Sequence, residues 1–129
     1  MLVIDASVAL AAGSAPRGFE FFRDELVAPT LLWSEVRSVL HEAVWRGEIS
    51  EDLALRSLEA LAGSKVREKG HKRLGEAAWR IAGELGLAKT YDAEYLALAE
   101  LNGCRLVTLD RKLRRGADRL GYVVGPDEI

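Results

Sequence analysis

The sequence holds a single cysteine, Cys104, in 129 residues. An internal disulfide is impossible, so a packed core must hold the fold, and a reducing, cytoplasmic address is expected. Histidine is nearly as scarce. His41 and His71 lie far apart, with neither zinc-ligand nor triad spacing, which sets aside zinc hydrolysis and histidine-based cleavage. No apolar run is longer than Val8 to Ala12, far short of the ~20 residues of a membrane span. No basic leader precedes Leu2-Val3-Ile4-Asp5, so a signal peptide is not expected. Repeats, low-complexity tracts and long linkers are also missing. At ~100–200 residues per domain, residues 1–129 are expected to form one domain.

The composition, 49% apolar and 29% charged, is that of a globular chain. The net charge of −2 hides an asymmetry. Residues 1–63 carry 10 acids and 5 bases; residues 64–129 carry 10 acids and 13 bases. A uniformly basic nucleic-acid coat is excluded, but a basic patch beside an acidic pocket is not.

Short apolar runs alternate with helical periodicities. Leu2-Val3-Ile4, Leu26-Val27-Ala28, Lys65 to Glu68, Arg105 to Leu109 and Tyr122 to Val124 read as strands. Helices are predicted over Pro16 to Glu25 with Phe19, Phe22 and Leu26 inward, and after an N-cap Thr30 with Leu32, Val36, Val39, Leu40 and Ala43 on one stripe. Further helices are predicted from Ser50 to Gly63, over 72–85, over Thr90 to Leu101 and over Asp110 to Leu120. Strands alternating with helices imply a three-layer α/β/α sandwich around a mostly parallel sheet of about five strands.

In such sheets the chemistry lies beyond the carboxyl ends of the strands. Asp5 follows the first strand and Asp110 the fourth. Glu35 edges its helix's apolar stripe, and Asp92 occupies a first helical turn on the side of Leu96 and Ala99. All four can converge. Like charges at ~4 Å repel by several kcal/mol at moderate dielectric, so a convergent quartet needs a counter-charge. Oxygen ligands without Cys or His favour Mg²⁺ or Mn²⁺ over zinc, and with them phosphoryl chemistry. Each acid also has an ordinary role open to it. Asp110 could cap a helix, Asp92 complement a helix dipole, Asp5 turn the chain, and Glu35 pair with Arg37, Lys89 or Arg111.

Val3-Ile4-Asp5-Ala6-Ser7, Ser34-Glu35-Val36, Thr90-Tyr91-Asp92-Ala93-Glu94-Tyr95-Leu96-Ala97-Leu98-Ala99 and Val107-Thr108-Leu109-Asp110 together resemble PIN-domain nucleases of the VapC toxin type, over essentially the whole chain. The resemblance implies a Mg²⁺- or Mn²⁺-dependent endoribonuclease, a homodimer restrained by a cognate antitoxin. It implies Asp5, Glu35, Asp92 and Asp110 as the acidic site, with Ser7 and Thr108 in support. Hydrolysis would leave 5′-phosphate and 3′-hydroxyl ends. Glu94 is expected to point away from Asp92's stripe and is left out, as is Asp118 in the basic helix.

Arg111, Arg114 and Arg115 share neighbouring faces of the helix after Asp110 and are candidates for holding RNA phosphates; a merely solvated charged face is the alternative. Trp33, Trp45 and Trp79 read as core or interface residues more readily than as base-stacking platforms. Val44, Trp45, Ile49, Leu53 and Leu55 form a candidate docking surface for an antitoxin segment or a second copy. Two rival functions stay open: a non-catalytic RNA- or protein-binding module of the same fold, and a Mg²⁺-dependent phosphotransferase or phosphatase. The latter wants a second Asp two residues after the first, where Ser7 stands.

Overall fold

The computed structural model describes residues 1–129. Five short strands build one sheet: β1 (Leu2–Ile4), β2 (Leu26–Ala28), β3 (Arg67–Glu68), β4 (Arg105–Val107) and β5 (Val123–Val124). Their order is β3-β2-β1-β4-β5, and every neighbouring pair is parallel. Six helices flank it: α1 (Ala6–Ser14), α2 (Leu31–Trp45), α3 (Glu51–Ala62), α4 (Leu74–Leu85), α5 (Tyr91–Asn102) and α6 (Arg111–Ala117).

From β1 the chain moves outward through β2 to β3, then returns to the other side of β1 to lay down β4 and β5. With right-handed crossovers, that reversal places α1, α2 and α3 on one face and the later helices on the other. The packing agrees: α1, α2 and α3 touch one another, whereas α4 packs on α5 and α5 lies on β1 and β4. The three layers expected from the sequence are thus present. The strand order reverses between β1 and β4, and the crevice beyond their carboxyl ends is where parallel sheets bind ligands. Ile4 pairs in register with Val107, so Asp5 and Thr108 leave the sheet side by side.

The strands are short but fully apolar where they are central. Leu2, Val3, Ile4, Leu26, Val27, Ala28, Leu106 and Val107 are all buried, as a sheet covered on both faces requires. Helix α5 is buried along the unbroken run Tyr95–Ala99, because it is wedged between α4 and the sheet. Its alternating alanines and leucines suit that place. Glycines end α4 and α5: Gly86 and Gly103 adopt left-handed backbone at φ 71° and 61°, a conformation costly for other residues.

Three expectations need correction. The first helix after β1 is Ala6–Ser14, not Pro16–Glu25. Asp5 caps it by accepting from the Val8 backbone N–H at 3.2 Å, and Pro16 stops it because the residue before a proline is pushed out of helical backbone. Only a 3₁₀ turn, Gly18–Phe21, occupies the segment read as helical, although Phe19 and Phe22 are buried as anticipated. Thr30 does stand at the start of α2, but its side chain makes no capping bond. Val39 is exposed, unlike its stripe-mates Leu32, Val36 and Leu40. No helix is long and apolar enough to cross a membrane.

Candidate active site

Asp5 is buried where β1 becomes α1, and three donors hold it. Ser7 Oγ and the Val8 N–H donate to Oδ1 at 2.6 and 3.2 Å, and Thr108 Oγ1 donates to Oδ2 at 2.5 Å. The two hydroxyls also tie the strand ends together. Ser7 Oγ accepts from the Leu109 N–H at 2.9 Å, and Thr108 Oγ1 accepts from the Asp110 N–H at 3.0 Å. Ser7 and Thr108, singled out in the sequence, are therefore the stitching between β1 and β4 that brings Asp5 beside Asp110.

Asp110 does cap α6: its Oδ1 accepts from the N–H groups of Lys112 and Leu113 at 2.9 and 3.1 Å. Capping engages one carboxylate oxygen and leaves the other without a partner in the protein. Glu35 comes from α2. It finds none of the basic partners considered for it; the Tyr95 hydroxyl donates to its Oε1 at 2.7 Å instead. Asp92, in the first turn of α5, is exposed and makes no hydrogen bond within the protein.

These acids feel one another. Burial pushes the Asp5 carboxyl above its usual pKa, the Ser7, Thr108 and Val8 bonds pull back, and Asp110 adds to the rise. Burial likewise raises Glu35 against the pull of Tyr95, with Asp92, Asp5 and Glu94 pushing further. Asp92 is raised first by the protein packed around its accessible carboxylate, then by Asp110 and Asp5. None of the leading causes of these shifts is a basic side chain, and none of the four acids belongs to a salt bridge.

A carboxylate offers about four acceptor positions. On that count Asp5 Oδ2, Glu35 Oε2, Asp110 Oδ2 and both oxygens of Asp92 retain capacity. The donor set is entirely hard oxygen, which suits Mg²⁺, Mn²⁺ or Ca²⁺ and not zinc. As they are placed, no three Asp, Glu, His or Cys side chains stand close enough together to hold a metal ion. Hard-oxygen side chains not gathered into a closed set could share a cation only through waters it retains, and Mg²⁺ usually keeps several.

Two residues passed over in the sequence belong to this neighbourhood. Glu94, expected to face away, is half-buried and its charge reaches Glu35. Glu35 meets α5 at Tyr95. Tyr95 is 1% exposed, and burial together with Glu35 pushes its phenol far above the usual range. Its signal was available: a tyrosine inside an Ala-Leu run must find a partner for its hydroxyl.

From Asp110 a cleft of about 310 Å³ follows α6, lined by Thr108, Arg111, Arg114, Gly125 and Glu128. Arg111 and Arg115 are exposed. Arg114 departs from expectation: Glu128 grips its guanidinium with both carboxylate oxygens, and Asp118 stands 3.8 Å from its Nε. Its charge already has partners because the chain's last turn, Pro126–Glu128, folds back onto α6. An apolar groove of about 440 Å³ flanks α1 on the other side, between Val8, Phe21, Leu109 and Pro126.

The PIN domain family model matches residues 2–119. Over 117 residues the chain is 35% identical to a VapC ribonuclease of Mycobacterium bovis and to ribonuclease VapC9 of Mycobacterium tuberculosis, covering 88% of this chain and 88% of each relative. Among solved structures it is similar to PAE2754 from Pyrobaculum aerophilum, with a TM-score of 0.78, 26% identity, and 98% of this chain and 90% of that one covered. A toxin-antitoxin complex from Klebsiella pneumoniae shares the fold, with a TM-score of 0.68 at 20% identity and 98% of both chains covered. The family match, the parallel sheet and the relatives agree, and the chain belongs to the PIN-domain family of VapC ribonucleases.

Proposed function

We propose that this protein is a divalent-metal-dependent endoribonuclease and the toxin of a toxin–antitoxin pair, acting in the cytoplasm as a single nuclease domain over residues 1–129. The observation that carries this reading is a group of carboxylates at the β1/β4 reversal with spare oxygens, mutual repulsion and no basic partner. Asp5, Glu35, Asp92 and Asp110 would hold the cation, Mg²⁺ or Mn²⁺, with Ser7 and Thr108 orienting Asp5. When bound, such a cation offsets phosphate charge and lowers the pKa of a water, which suits it to phosphodiester hydrolysis.

The chain's own residues do the rest. Three hydrogen bonds fix Asp5, and the cap fixes Asp110, so neither carboxylate has to be ordered when substrate arrives. Arg111 opens the cleft beside Asp110 and holds a flanking phosphate. The antitoxin, or a second copy in a homodimer, covers apolar surface on α2 and α3, where Trp45 and Leu55 are 83% and 51% exposed.

The direct test is to incubate the purified protein with RNA and sequence the 5′ ends produced, with Asp5→Asn as the control. Fragments with 5′-phosphate and 3′-hydroxyl ends should form, vanish in the variant and in EDTA, and return with Mn²⁺. Undiminished cutting by Asp5→Asn, or 2′,3′-cyclic phosphate ends, would remove the proposal.

The two arginines should separate in binding measurements on a cleavage-dead background. Arg111→Ala is expected to weaken RNA binding and to lower the slope of log affinity against log salt by about 1. Arg114→Ala should leave that slope near wild type and reduce thermal stability instead, because its partners are Glu128 and Asp118. Equal slope changes in the two variants would show that the C-terminal turn opens on RNA.

A further inference from the structure

The four site acids are not held equally. Asp5 and Asp110 are each fixed by local bonds from their own strand ends and helix starts. Glu35 has a longer side chain and projects from within α2, where no capping geometry exists to restrain it. Helix α2 also belongs to the α1–α3 layer, while Asp92 rides on α5 in the opposite layer. Glu35 must therefore be brought to Asp92 across the rim of the sheet.

One contact makes that crossing. Tyr95 stands three residues after Asp92, one turn further along the same face of α5. Its ring is enclosed in the core, within the run Tyr95–Ala99 that is otherwise Leu and Ala. A phenylalanine would serve the packing equally well. The hydroxyl serves only the bond to Glu35 Oε1, at 2.7 Å.

We infer that Tyr95 is a positioning residue of the acidic site: its hydroxyl, donated from α5 to Glu35 Oε1 on α2, fixes the Glu35 carboxylate and leaves Oε2 free for a divalent cation. This rests on the metal-dependent nuclease reading above. The phenol keeps its proton throughout and touches neither substrate nor reacting atoms. It removes rotamer freedom from Glu35 before a cation arrives, and it links α2 to α5 across the rim of the sheet. The same bond leaves Oε1 unable to turn inward, so the carboxylate offers one oxygen rather than a shifting pair.

The test compares wild type, Tyr95→Phe, Glu35→Gln and the double variant. Mn²⁺ binding is followed by the electron paramagnetic resonance signal of free Mn²⁺, and RNA cleavage is titrated against Mn²⁺. Tyr95→Phe keeps the ring and is expected to fold, with circular dichroism as the check. It should lose about 10- to 100-fold in Mn²⁺ affinity, the range for partners that orient a metal ligand. Its cleavage deficit should shrink as Mn²⁺ approaches saturation, and Tyr95→Phe should add nothing in the Glu35→Gln background. A merely structural tyrosine would cost the same factor in the wild-type and Glu35→Gln backgrounds, and that additivity overturns the inference. So does a Tyr95→Phe affinity within twofold of wild type when wild type binds Mn²⁺. Wild type that binds no Mn²⁺ and cuts RNA in excess EDTA would instead overturn the nuclease reading, and this inference with it.

Discussion

Asp92→Asn is expected to reduce RNA cleavage about a thousandfold while making the cation-free protein slightly more resistant to heat. Asparagine keeps the size of the side chain and its place in the first turn of α5, and it breaks no bond, because Asp92 makes none within the protein. Only the charge is lost. A cation held by one fewer carboxylate forfeits several kcal/mol of transition-state stabilisation, and each 1.36 kcal/mol is tenfold in rate. The same charge is a burden without a cation, since Asp110 and Asp5 both oppose it. Solvent screening at this exposed position limits the relief to about 0.5 kcal/mol, or roughly 2 °C in Tm.

The pH dependence has a definite sign. Burial and its acidic neighbours raise Asp92 above its ordinary value of 3.8, so the folded protein binds that proton more tightly than the unfolded chain does. Wild type therefore gains stability relative to Asp92→Asn as pH falls through the raised pKa. The variant's advantage is full at neutral pH and gone below 3.8. Adding Mn²⁺ should reverse the ranking at neutral pH, because a ligand that binds only the folded state stabilises it, and wild type binds more strongly. Thermal melts with EDTA and with Mn²⁺, beside cleavage rates, check all three results. A variant that melts below wild type in EDTA would show that Asp92 is held by a favourable contact and is no surplus charge.

Ile4→Ala should be the most damaging single change to the fold, costing about 2–5 kcal/mol. Ile4 is wholly buried in β1, between β2 and β4, and its register with Val107 sets the strand ends from which the site is built. Against a total stability of about 5–15 kcal/mol, the loss leaves a marginal protein. Urea melts should show a lower midpoint at unchanged slope, the signature of lost stability rather than an altered unfolded state. Cleavage should fall in step, since Asp5 is the next residue and depends on β1 for its alignment with Thr108 and Asp110. A cost under about 1 kcal/mol, below the usual range for a buried isoleucine, would mean that the helical layers, not the central strand, carry the fold.

Much of this architecture is legible in the linear sequence because it is set by local rules. The apolar run Leu2–Ile4 followed by Asp5 marks the end of β1, and Gly86 and Gly103 mark helix ends through their left-handed backbone. Legibility was lost where two local rules competed. Pro16 has the look of a helix start but instead ends the helix that Asp5 began, because a cap at Asp5 and an Ala-rich stretch outweigh the phenylalanine spacing beyond.

The identities and order of the acids, the places of Asp5, Asp92 and Asp110 at strand ends and helix starts, and that of Glu35 within a helix were determined by sequence alone, since a residue's position within its own element depends on near neighbours. Which groups meet was decided by the tertiary structure. Glu35 took a phenol and not an arginine, Glu94 came near enough for its charge to reach Glu35, and Arg114 was claimed by Glu128 from the far end of the sequence. Those pairings depend on how the helical layers and the last turn are set against one another. Electrostatic and hydrogen-bond partners change with shifts of a few Å, whereas helix and strand periodicities do not.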